Sequence, residues 1–133
     1  MKSLSPYLNF DGNTREAMTF YQSCLGGDLN IQSFADVNMP GDPNRTMHST
    51  LTSGPVTIMA SDTMHDMKLN KGNNAYLCID CSNVDELERH FSLLSAGGHV
   101  LQPPQDTFWG ARFGMCTDKF GVHWMFNCEL PKK

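Results

Sequence analysis

The strongest constraint in this chain of 133 residues is that its first half is written again in its second half. The run Tyr7-Leu8-Asn9-Phe10-Asp11 reads as a strand, and Asn13 with Glu16 three residues on reads as a capping box. Ala17, Phe20, Tyr21, Cys24 and Leu25 then fall on one helical stripe, which Gly26-Gly27 ends. The pattern returns as the strand Tyr76-Leu77-Cys78-Ile79-Asp80 and a cap built from Ser82 with Asp85 or Asn83 with Glu86. Val84, Leu87, Phe91 and Leu94 supply the second stripe, and Gly97-Gly98 the second stop.

Each helix is followed by three candidate strands: Leu29 to Ala35, Thr46 to Thr52 and Val56 to Ser61, then His99 to Gln102, Ala111 to Thr117 and Val122 to Cys128. Ser53-Gly54 is a two-residue hairpin signal, and Phe120-Gly121 a weaker turn. Val37 to Arg45 and Thr63 to Asn73 read as loops, the latter linking the halves. The expected fold is therefore α+β, one domain of two βαβββ modules, about residues 4–62 and 73–129.

Bulk properties narrow the function. The chain is 40% hydrophobic and 18% charged, which fits a globular protein. A net charge of −4 without a basic run argues against nucleic acid, and Lys132-Lys133 reads as a solvated tail. No stretch is apolar enough to span a bilayer, so no membrane partner is expected. The first ten residues show no signal-peptide pattern. Five cysteines without metal-finger spacing fit reduced thiols in the cytoplasm. Cys78 and Cys81, three apart in a strand, point to opposite faces and read as buried thiols rather than a redox or zinc pair.

The stretches YLNFDGNTREAMTFYQSCLGG, HSTLTSGPVTIMASD and DTFWGARFGMCTDKFGVHWMFN resemble the vicinal oxygen chelate superfamily, which includes glyoxalase I, extradiol dioxygenases and the fosfomycin- and bleomycin-resistance proteins. More narrowly the chain is similar to the PhnB-like branch. The resemblance implies two modules, each a cupped mixed sheet around a cavity with its helix on the outer face, and often a homodimer. Some relatives carry a demethylubiquinone methyltransferase label, yet no glycine-rich strand-to-helix loop for S-adenosylmethionine is present here. The family's metal positions align with Pro6, Met59, Tyr76 and Met125, none an ordinary ligand for a hard or borderline divalent ion. No metal and no other cofactor is therefore expected.

Strand parity from that alignment puts Leu8 and Phe10 with Pro6 in the cavity, Thr57 and Ser61 with Met59, Cys78 with Tyr76, and His123 and Asn127 with Met125. Asn9 then faces the helix, which is awkward for an amide. With Ser53-Gly54 as the turn, Thr52 faces Pro55 and His48 faces Met59, so His48 enters the cavity as a base, a hydrogen-bonding group or a lone ligand. His48 with His123 is the alternative, non-standard metal pair. His65, His90 and His99 read as surface residues. Phe108 and Trp109 either close over an apolar ligand, with Arg112 pairing its anion, or pack an interface, with Arg112 pairing Asp106 or Asp118.

The nine methionines read mostly as core or loop filler, Met59 and Met125 excepted. The expected function is a metal-independent small-molecule binding protein. Its ligand-binding residues would be Leu8, Phe10, His48, Thr57, Met59, Tyr76, Phe108, Trp109, Arg112, His123 and Met125. The ligand would be largely apolar with a polar or anionic handle. The alternatives are an enzyme of the same superfamily, using His48 or a displaced divalent metal, and a regulatory dimer whose cavity is filled.

Overall fold

A computed structural model describes residues 1–64 and 67–132. His65 and Lys133, read above as surface groups, lie outside the described residues. The chain forms two compact units, Met1–Asn70 and Lys71–Lys133.

In the first unit β1 (Tyr7–Phe10) leads into α1 (Thr14–Leu25), followed by β2 (Asp28–Ser33), β3 (Thr46–Ser53) and β4 (Val56–Asp62). The sheet order is β1-β4-β3-β2. β1 runs parallel to β4 and the other pairs are antiparallel. The second unit repeats this plan with β5 (Leu77–Asp80), α2 (Val84–Ser95), β6 (His99–Asp106), β7 (Ala111–Thr117) and β8 (His123–Glu129), in the order β5-β8-β7-β6. Two four-stranded mixed sheets, each with one helix, are the two-module α+β fold that the repeat implies.

Each core lies between a helix and one face of its own sheet. Ala17, Met18 and Tyr21 of α1 are buried with Leu51, Ile58 and Ala60. Leu87, Phe91 and Leu94 of α2 are buried with Cys116, Trp124 and Phe126. The Phe91 and Phe126 rings meet edge to face at 5.3 Å. Phe20, assigned to the first stripe, is only half-buried, and Met18 takes the inward place.

The two helix starts are built differently. Asn83 caps α2 by accepting from the Glu86 amide at 2.8 Å, while Ser82 N donates to the Glu86 carboxylate at 3.4 Å. Asn13 makes no such bond. Its work falls to Asp62, at the end of β4, which accepts from Gly12 N at 2.9 Å, Thr14 N at 3.1 Å and Thr14 Oγ1 at 2.7 Å. The other Asp62 oxygen accepts from Thr46 N at 2.8 Å. One buried carboxylate thus satisfies the α1 start and the β3 entry together. In the second unit buried Asp118 holds the β7–β8 turn, accepting from Phe120 N, Val122 N and Trp124 Nε1.

The glycine pairs do more than stop helices. A Cβ on Gly27 would strike the Thr52 carbonyl oxygen, and one on Gly98 the Thr117 carbonyl oxygen. The second glycine of each pair is therefore where the chain lies against the neighbouring strand end.

Two boundaries differ from expectation. The β3–β4 turn is Gly54-Pro55, since Ser53 pairs with Val56. Gly54, at φ +55, supplies the left-handed residue, and proline sits where no ladder donor is needed. β6 runs to Asp106, through Pro103-Pro104, rather than stopping at Gln102. As the edge of its sheet it tolerates prolines, and its register shifts on both sides of Gln102.

Candidate functional site

In the first sheet Ile58, Ala60 and Leu51 point toward α1, so alternation sends Thr57, Met59, Ser61, Thr50 and Thr52 to the opposite face. A central row crosses that face as Tyr7, Met59, Thr50 and Asn30. His48, paired with Gln32 and two residues from Thr50, shares it. The Tyr7 hydroxyl reaches across β4 to within 3.3 Å of His48 Nδ1, and His48 Nε2 lies 3.2 Å from Thr50 Oγ1. The Tyr7 and His48 rings are 5.9 Å apart. Both partners are hydroxyls, which donate or accept, so neither tautomer of His48 is imposed.

His48 does not face Met59 as expected; Thr50 does. Moving a two-residue turn by one position shifts cross-strand partners by two, and a shift of two keeps the face. His48 therefore stays on the Met59 side.

The β1 expectation requires correction. Tyr7 pairs with Met59, Leu8 with Ala60 and Phe10 with Asp62. Leu8 and Phe10 thus point to the helix side, and Phe10 is 1% exposed within the core. Tyr7 and Asn9 take the opposite face, which removes the difficulty of an amide under the helix. Pro6, taken as a metal-position equivalent, gives way to Tyr7 as the residue in line with Met59. A one-residue slip in a parallel pairing reverses every side chain of the strand.

The second sheet carries three rows opposite α2. The first is Asp80, Asn127, Phe113 and Gln105. The second is Cys78, Met125, Met115 and Gln102, and the third holds His123, Thr117 and His99. The Tyr76 ring lies 5.1 Å from the His123 ring. His123 Nε2 is 3.2 Å from the Gly72 carbonyl oxygen, which only accepts, and Nδ1 is 2.8 Å from Thr117 Oγ1. The proton therefore sits on Nε2, and both ring nitrogens are satisfied. His123 is a braced histidine, while His48 keeps a choice of proton position.

Trp109 and Phe108, at the β6–β7 turn, are 57% and 97% exposed and meet edge to face at 5.1 Å. Trp109 also meets Phe113 at 6.0 Å, joining the turn to the first row. Arg112 pairs with Cys128, next to Gly114↔Phe126, so its side chain is on the α2 side. There it donates to Glu88 at 2.7 Å and to Asp106 at 3.0 Å, which hold its pKa up. Asp106 was an expected partner; Glu88 was not, because only packing brings the helix to β7. The expected ligand-facing placement of Arg112 does not occur.

Opposite parity holds for the pair, but Cys78, read as a buried thiol, is exposed on the Met125 face, and only Cys81 is buried under the helix side. Burial, reinforced by Asp80, pushes the Cys78 thiol up. Burial also raises Cys81 and Cys116, each to about 12. Among the described residues no three His, Cys, Asp or Glu side chains come together as a metal site. A pocket of about 210 Å³ in the first unit is lined by Phe34, Pro40, Gly41, Asp42, Arg45, Thr63 and Met64. None of the residues expected to bind ligand lines it, and the loop that forms it offered no periodic signal.

Known proteins resemble the chain along nearly all its length. A family model described as 3-demethylubiquinone-9 3-methyltransferase matches residues 2–126. Protein YjdN of Escherichia coli strain K12 is 36% identical over 138 residues, covering 93% of both chains. The crystal structure of protein PA1353 from Pseudomonas aeruginosa superposes with a TM-score of 0.91 at 39% identity, covering 98% of this chain and 100% of that one. A Bacillus cereus structure described as a putative 3-demethylubiquinone-9 3-methyltransferase, PhnB protein, gives 0.76 at 26% identity, covering 96% and 99%. A glyoxalase/bleomycin resistance protein/dioxygenase from Nocardioides, at 0.60 and 19% identity and covering 100% and 87%, shares the fold alone.

Proposed function

We propose, from the premise that this chain belongs to the family described as 3-demethylubiquinone-9 3-methyltransferase and shares its fold with a glyoxalase/bleomycin resistance protein/dioxygenase, that it is a metal-independent small-molecule binding protein. Its ligand is held on the sheet faces opposite the helices, with His48 as the polar contact. The observation that carries this is the Tyr7–His48–Thr50 hydrogen-bonded chain: both ring nitrogens of His48 have hydroxyl partners, and a ligand that displaces either hydroxyl meets a donor or an acceptor according to the tautomer.

The family description implies S-adenosylmethionine, and the residues do not fit it. Nucleotide cofactors use backbone amides freed by a glycine-rich turn at a helix start. Here Gly12 N and Thr14 N donate to Asp62, and Ser82 N and Glu86 N donate to side chains of their own turn. No methyl-transfer step is derived. Nor does the donor chemistry favour the superfamily's usual divalent ion: Met59 and Met125 offer soft thioethers at the centres of the two faces.

Native mass spectrometry with elemental analysis of freshly purified protein reads co-purified ligand, metal and subunit count together. It also tests the homodimer that the resemblance implies. A bound organic molecule without stoichiometric metal, lost or weakened in His48→Gln, is the expected result. Equal ligand retention by His48→Gln removes His48 from the site, and stoichiometric metal overturns the metal-independent reading.

A further inference from the structure

The strands of the first sheet contain no lysine or arginine at any position. In the second sheet Arg112 is the one such residue, and it points to α2, where Glu88 and Asp106 hold it. Neither face opposite a helix therefore offers a strand-borne permanent cation to an anionic ligand. Carboxylates do stand there: Asp80 on β5 and Glu129 on β8, with Asp28 on β2.

The second sheet adds an arrangement with its own chemistry. Along one row Asp80 is followed by Asn127 and then Phe113, with Trp109 edge-on to the Phe113 ring. Asn127 Nδ2 donates to Asp80 Oδ1 at 3.2 Å, which orients the carboxylate. Asp80 and Phe113 are two strands apart, a span of about 9.6 Å. Met125 and Met115 make an apolar, polarizable row beside them.

We propose that the face of the second sheet opposite α2 binds organic cations: molecules with an aromatic or apolar body and one protonated amine. The body lies on Phe113, Trp109, Met115 and Met125, and the amine reaches Asp80. This rests on the small-molecule reading above and replaces its anionic handle with a cationic one. Charge complementarity carries the choice. An anion would meet Asp80 and Glu129 with no arginine or lysine on the strands to offset them, whereas a protonated amine gains the carboxylate while its apolar body covers the rings.

The test uses three probes with one body, 4-phenylbutylamine, 4-phenylbutanol and 4-phenylbutyrate, titrated into the intact protein at low ionic strength. Trp109 fluorescence is the readout, since Trp124 is 2% exposed; Trp109→Phe confirms which tryptophan responds. The amine should bind about fivefold or more tighter than the carboxylate, with the alcohol between them. Asp80→Asn should bring the amine to the alcohol's affinity and leave the alcohol unchanged. Equal or tighter binding of 4-phenylbutyrate overturns the charge assignment while leaving small-molecule binding intact. No response to any probe overturns the site, while the His48 experiment decides the broader reading separately.

Discussion

The Thr14 hydroxyl donates to Asp62 at 2.7 Å, with both side chains buried and 48 positions apart in the chain. That bond fastens the start of α1 to the end of β4, and the same carboxylate reaches Thr46 at the entry of β3. Asp62→Asn keeps the shape but replaces one acceptor oxygen by a donor facing amides. The expected loss is about 3 kcal/mol, in the range for buried amide donors left without an acceptor. Urea denaturation measures it, and a loss below about 1 kcal/mol would show that water replaces the carboxylate.

The glycine pairs separate conformational strain from collision. Gly26 has φ +76 and ψ −167, a backbone region essentially reserved for glycine, with open space around a would-be Cβ, so Gly26→Ala should cost the backbone strain alone, about 2 kcal/mol. Gly27→Ala adds a clash with the Thr52 carbonyl and should cost at least about twice as much. Equal losses in thermal or urea melts would remove the close approach as the reason for the second glycine.

Arg112 is tied to the helix side by a half-exposed Glu88 and an exposed Asp106. Arg112→Met should therefore lower stability by no more than about 1 kcal/mol and leave ligand retention unchanged. A selective loss of ligand in a variant that melts normally would return Arg112 to the site.

The thiols set an alkaline limit. Burial raises Cys81 and Cys116 from 9.0 to about 12 in the folded chain, while in the unfolded chain they ionise near the ordinary value. Below pH 9 both states hold these protons and stability is unaffected. As pH rises from 9 toward 12 the unfolded state loses protons that the folded state keeps, so stability falls. Urea midpoints taken across that window should decline, and less steeply in Cys116→Ala. At lower pH the exposed Cys78 should be the first thiol modified by a disulfide reagent. Asp80→Asn should speed that reaction by removing one of the two causes that raise its pKa.

The duplicated plan, the helices and most strand limits were legible before any coordinates, because each is a local or periodic property. Gly-Gly stops, stripes at helical spacing and alternating strands need no partner to be recognised. Even the facing of β1 was present in its alternation, with Asn9 polar between Leu8 and Phe10. A register through Pro6 instead turns Asn9 under the helix and reverses the strand. The β5 expectation succeeded because Leu77 and Ile79 kept the apolar side unambiguous.

What the chain alone determined is therefore which segments become strand or helix and which half repeats which. Tertiary structure decided the rest: Tyr7 against Met59, Asp62 as the cap of α1, Glu88 as a partner of Arg112, and Tyr7 over His48. The physical reason is that a parallel pair such as β1 and β4 has no tight turn from which to count its register. The register follows from side chains packing under a helix supplied by another part of the chain. Contacts made across such pairings exist only once that packing is complete.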